Sequence, residues 1–126
     1  MIKKENKEIV KRQLWSNGYS AKDVSHCTDY DLLVDNKIKV EVKSTIYNQK
    51  GNYWLLNIDK KSKTKKADVL AIIIQTVLNE DVIYYMDIKK NFKNLGAGKL
   101  KINSDIIKTL FTVSLTKIFN NKNYEK

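Results

Sequence analysis

The 126-residue chain has one cysteine, one histidine, one arginine and no long apolar run. A single thiol, Cys27, permits no internal disulfide and encodes no thiolate metal cluster. The longest apolar stretch, VLAIII at residues 69–74, falls far short of the ~18 residues that cross a bilayer. The N-terminal MIKKENKEIVKRQ is charged from its start and holds no apolar core for a secretory signal, so a cytoplasmic location with no membrane association is expected. His26 has no second ligand in view and reads as loop structure; a proton carrier is the alternative.

The scarcity of arginine matters because basic residues are otherwise abundant. Lysine and arginine number 24 against 14 acids, a net charge of +10, and all but Arg12 of the 24 are lysines. Such a surplus on a small chain suggests a polyanionic partner, since each lysine set beside a phosphate releases counterions. A lysine-biased surface with no partner is the plainer alternative. With so little arginine, the charge points to backbone attraction more than to base reading, because bidentate guanine contacts favour arginine. A hydrophobic share of 42% supports one modest core, and the length suits a single domain over 1–126.

Periodicity predicts a helix over Lys3–Asn17, with Ile2, Ile9, Val10, Gln13 and Leu14 on one side and Lys4, Lys7, Lys11 and Trp15 toward the other. Asn17-Gly18 is its stop. Ser20–Thr28 reads as a loop. Strands are expected at Tyr30–Val34, Ile38–Thr45, Tyr53–Asp59, Ala67–Val77 and Val82–Ile88, the fourth buried on both faces. YNQKGN and LNED are turns, KKSKTKK at 60–66 is a basic loop, and NFKNLGAGK is a loop. Residues 104–119 read as a helix capped by Ser104, with Ile107, Leu110, Phe111, Leu115 and Ile118 as its apolar side, although threonines and a valine leave a strand open for part of it. The expected fold class is α/β in α+β order, a central mixed sheet of about five strands flanked by an N-terminal and a C-terminal helix.

Chemistry concentrates in YDLLVDNKIKVEVKS, Tyr30–Ser44. If Asn36 centres a three-residue loop, cross-strand partners have numbers summing to 72. Val34 then meets Ile38, Leu32 meets Val40 and Tyr30 meets Val42, all six apolar and sharing one face. The other face sets Leu33 against Lys39, Asp31 against Glu41 and Asp29 against Lys43. Like charges directly opposed destabilise a sheet, with Cβ atoms ~5 Å apart. A divalent cation between Asp31 and Glu41 would reverse that sign, and hard oxygen ligands suit Mg2+ or Mn2+. Lys43 points the same way as Glu41, placed to orient or deprotonate an attacking water or to neutralise a phosphate. The competing reading is an ordinary solvated strand face.

Asp31, Glu41 and Lys43 resemble the acid and Glu-x-Lys of the PD-(D/E)XK nuclease superfamily, which includes Holliday junction resolvases and many restriction endonucleases. Tyr30 stands where that motif usually has proline. The resemblance covers the outline from Lys3 to Ile88 and implies a restriction-endonuclease-like core. It also implies Asp31, Glu41 and the Val42 carbonyl as metal ligands, Lys43 as catalytic lysine, and a helix glutamate in support, Glu8 in preference to Glu5. Asp68 reads mainly as a strand start. Lys60, Lys61, Lys63, Lys65 and Lys66 are the candidate phosphate contacts, with a solvated loop as the alternative; Gln49, Lys50 and Asn52 are weaker ones.

The expectation that follows is a Mg2+- or Mn2+-dependent endonuclease hydrolysing DNA phosphodiester bonds, structure-selective in the manner of a resolvase. A restriction or homing enzyme and a non-catalytic nucleic-acid-binding domain are the alternatives. Cutting two strands needs two active sites, so a homodimer is expected.

Overall fold

A computed structural model of the chain describes residues 2–28, 30–48, 50–51, 53–58, 67–75, 81–91 and 98–120. The elements run α1 (Ile2–Ser16), β1 (Ala21–Asp23), β2 (Leu32–Val34), β3 (Ile38–Ser44), β4 (Ile46–Asn48), β5 (Tyr53–Ile58), β6 (Val69–Gln75), β7 (Asp81–Asp87), β8 (Gly98–Ile102), α2 (Ser104–Leu110) and α3 (Leu115–Phe119). Five strands form a mixed sheet in the order β1-β2-β3-β6-β7, in which only β3 and β6 are parallel. The expected central sheet with its N-terminal helix is therefore present. Strands β4, β5 and β8 form a second, antiparallel sheet.

The helix ends where the sequence says it should. Gly18 has φ +88°, and the N–H groups of Gly18 and Tyr19 donate to the carbonyls of Trp15 and Leu14 at 3.1 and 2.9 Å. That is a Schellman stop, which needs a left-handed residue at Gly18. The hairpin turn is also as its residue types suggest. Asp35 and Asn36 take φ of 51° and 60°, and Lys37 N–H closes on Val34 O at 3.1 Å. Aspartate and asparagine tolerate that conformation better than other non-glycine residues.

The five-stranded sheet is covered on both sides. Its first face carries Leu32, Val34, Ile38, Val40, Val69, Ala71, Ile73, Ile83 and Tyr85 against Val10 and Leu14 of α1 and Ile118 and Phe119 of α3. Burial pushes the Tyr85 phenol well above its usual pKa, so it stays protonated and donates to Gln13 on α1. The second face carries Leu70, Ile72, Ile74 and Met86 against Leu56 of β5, Ile102 of β8 and Phe111 after α2. β6 is buried from Val69 to Ile74, as its unbroken apolar run requires.

Several expectations need correction. Ser20–Thr28 is not all loop, because Ala21–Asp23 pairs antiparallel with Leu32–Val34. Three residues are too few to show a period, but buried Ala21 and Val24 anchor the segment. Tyr47-Asn48 and Gly98-Lys99 are strand rather than turn and loop, recruited by pairing with β5. The C-terminal helix is two short helices. Between them Thr112 forms an antiparallel bridge with Tyr85, exchanging N–H···O bonds at 2.8 Å in both directions. The caps are Asn103, whose side chain accepts from Ile106 N–H at 3.0 Å, and Ser114, whose hydroxyl accepts from Lys117 N–H at 3.3 Å; Ser104 is the first helical residue. Finally, the central ladder of β2 stops at Leu32↔Val40, short of Tyr30 and Asp31.

A candidate acid–acid–lysine site at the end of the hairpin

The three observed pairs of the hairpin, Leu32↔Val40, Leu33↔Lys39 and Val34↔Ile38, follow the register the apolar pattern predicts. Asp31 then leaves it. Its N–H donates to Val40 O at 3.0 Å on β3, while its own carbonyl accepts from Val24 N–H at 3.0 Å on the other side. In a regular strand both groups of one residue point to the same neighbour, so the backbone at Asp31 has turned out of the pleat. Tyr30 consequently packs with the second-face cluster instead of pairing with Val42 on the first. The Lys39 ammonium lies 5.8 Å from the centre of its ring.

The turn brings the Asp31 carboxylate into the plane of the sheet. Oδ2 accepts from Val42 N–H at 2.8 Å, in the place a continued β2 would have filled. This corrects the expected face-to-face opposition of Asp31 and Glu41. The negative charge of Asp31 meets a backbone donor, so strand repulsion alone does not call for a cation. The same bond nevertheless keeps the groups together. Val42 follows Glu41 directly, which puts Asp31 Oδ2 no more than about 5 Å from the Glu41 Cα. The Val42 carbonyl points to the same side as its N–H, toward Asp31 beyond the end of β2.

Glu41 and Lys43 sit on the second face, beside Leu70 and Ile72 of β6 in register. Glu41 is only 3% exposed, and Lys43 is half-buried above it. Lys43 Nζ lies 3.8 Å from Glu41 Oε2. A carboxylate buried among isoleucine and leucine is strongly unfavourable without partners, so the lysine and any further cation would act on a poorly hydrated charge.

Two carboxylates and a carbonyl offer hard oxygen donors, a set that suits Mg2+ or Mn2+, which commonly take one or two carboxylates and keep several waters. Among the described residues no group of three His, Cys, Asp or Glu side chains gathers, so any donor set here would be limited to the two carboxylates and the Val42 carbonyl.

The remaining candidates are placed elsewhere. Glu8 lies on α1, which covers the first face, whereas Glu41 and Lys43 point from the second. It pairs with Lys11 at 3.9 Å on the outside of the helix. Asp68 is a strand tie: its Oδ2 accepts from Lys39 N–H at 3.0 Å and its Oδ1 meets Lys89 Nζ at 2.8 Å. His26 and Cys27 are exposed in the turn before the hairpin. Lys60, Lys61, Lys63, Lys65 and Lys66, with Gln49 and Asn52, lie outside the described residues. The Val42 N–H is the partner that sequence reading missed, because nothing in a two-residue alternation signals a side chain turning into the sheet plane.

Compared with known proteins, the chain matches no family model, no curated protein and no solved structure.

Proposed function

We propose that the chain is a Mg2+- or Mn2+-dependent endonuclease hydrolysing DNA phosphodiester bonds, built on a PD-(D/E)XK-like hairpin. The observation that carries this reading is the Asp31–Val42 hydrogen bond. It gathers a carboxylate, a buried Glu41 and Lys43 at the open end of one hairpin. A surface that only binds phosphates gains nothing from two carboxylates at its centre.

In this reading Asp31, Glu41 and the Val42 carbonyl hold the cation. When bound, it supplies Lewis acidity toward a phosphate oxygen and makes water easier to deprotonate. Lys43 orients the attacking water or carries a proton of it, and its charge stabilises the developing phosphorane. Water oxygen bonds to phosphorus, the bond from phosphorus to one sugar oxygen breaks, and that oxygen gains a proton. The net charge of +10 draws the substrate in. Two copies acting together would cut both strands of a duplex or junction.

The test is incubation of supercoiled plasmid and a four-way junction with Mg2+, with Mn2+ or with EDTA. Wild type is expected to nick with either metal and not in EDTA. Lys43→Ala is expected to lose about 100-fold or more in rate, and Asp31→Asn to lose cleavage while keeping DNA affinity. Equal nicking in EDTA, or by Lys43→Ala, contradicts the reading.

A further inference from the structure

The only arginine of the chain is not used by the site above. Arg12 lies on the outward side of α1, beside a shallow surface cavity of about 410 Å3 lined by Glu8, Lys11, Arg12, Trp15 and Ser16. Trp15 is 60% exposed, more than the other exposed large hydrophobic side chains among the described residues. It is also held in place, because its indole N–H donates to Ala21 O at 2.9 Å. A large aromatic face pinned toward solvent by its polar edge is ready to stack without losing side-chain freedom on binding.

The charge around that face is net positive, with Lys11 and Arg12 against Glu8. Glu8 offsets part of the charge of Lys11, with the two 3.9 Å apart. The Arg12 side chain makes no hydrogen bond or ion pair among the described residues. We propose that this face of α1 binds an unpaired nucleotide of a nucleic-acid strand, with the base stacked on Trp15 and the flanking phosphates on Arg12 and Lys11. Base stacking on an aromatic ring beside a cationic track is the chemistry that holds single strands without sequence preference. The exposed ring offers a flat stacking surface, and the chain's excess of cations matches a polyanion. The face lies on the opposite side of the sheet from Glu41 and Lys43, so the inference does not rest on the hydrolase reading.

The experiment is fluorescence anisotropy of a labelled ten-nucleotide oligo(dT), in EDTA, across a salt series. A blunt duplex of equal length serves as comparison. No metal is present, so a failure of the nuclease proposal leaves this measurement readable. Trp15→Ala is expected to weaken oligo(dT) binding about tenfold, while Trp15→Phe stays within about threefold of wild type. Arg12→Ala should weaken it several-fold and reduce the slope of log K against log salt by about 0.7. Duplex affinity should not change in Trp15→Ala. Both Trp15 variants remove the bond to Ala21, so their comparison isolates the ring, and if they do not fold, Arg12→Ala decides the matter, since the Arg12 side chain is exposed. Wild-type affinity and slope in Arg12→Ala, a Phe variant as weak as the Ala variant, or an equal loss on the duplex would each overturn the proposal.

Discussion

The two faces of the five-stranded sheet are built differently. On the α1 side every strand contributes apolar residues, from Ala21 at one edge through Val34, Val40 and Val69 to Ile83 and Tyr85 at the other. On the opposite side β6 and β7 are equally apolar, but β3 presents Lys39, Glu41 and Lys43. One face is therefore optimised for burial throughout. The other gives up apolar side chains over one strand, and does so next to the point where Asp31 leaves the ladder. Glu41 is 3% exposed beside Leu70 and Ile72, with the Lys43 ammonium 3.8 Å from its carboxylate. The asymmetry sets β3 apart as the strand on which the proposed site is built.

The strongest way to break this contrast is on the apolar face. Leu14→Ala empties a fully buried position between α1 and the sheet and should lower the unfolding free energy by about 2–5 kcal/mol in urea titration. A loss below 1 kcal/mol would mean that the helix packs loosely. Glu41→Leu tests the other face. Unfolding free energy should be unchanged or raised, by up to about 4 kcal/mol, while metal-dependent nicking disappears. A clear loss of stability would make Glu41 a structural residue.

Smaller effects concern how α1 is fixed on its face. Gly18→Ala should cost about 1 kcal/mol, again by urea titration. A Cβ there meets no atom within 4 Å, so the whole effect comes from φ +88° and not from crowding. The smallest effect is at Asp23, on the edge strand. Burial pushes its pKa up, but the side-chain and backbone hydrogen bonds of Ser25 and the charge of Lys7 outweigh this and hold it below the usual carboxylate value. A folded-state pKa below the unfolded one contributes stability above the unfolded value and loses it as pH falls through the folded one. Asp23→Asn should therefore flatten the acid limb of a stability–pH profile slightly and leave neutral pH nearly unchanged. An unchanged acid limb would remove this contribution.

How much of this was legible depended on local signals. The helix stop at Gly18, the loop centred on Asn36 and the register of Leu32 with Val40 all follow from residue types within a few positions. The buried run of β6 was equally plain. Pairings made at a distance were not. Ala21–Asp23, Ile46–Asn48 and Gly98–Ile102 are strands because partners are present, not because their own alternation is strong. The break between α2 and α3 likewise depends on Thr112 meeting Tyr85, 27 residues away in the chain. At the site, Glu41 and Lys43 could be placed on one face by counting. The turn of Asp31 toward the Val42 N–H could not, because it comes from backbone bonds to two different strands.

The central claim is that Asp31 and Glu41 bind a dication together, and Mn2+ binding read directly by electron paramagnetic resonance of the free ion tests it. Wild type should take up about one Mn2+ per chain, displaced by Mg2+, and Asp31→Asn and Glu41→Gln should each abolish that uptake with folding intact. Uptake in either variant equal to wild type, or none in wild type, would contradict it.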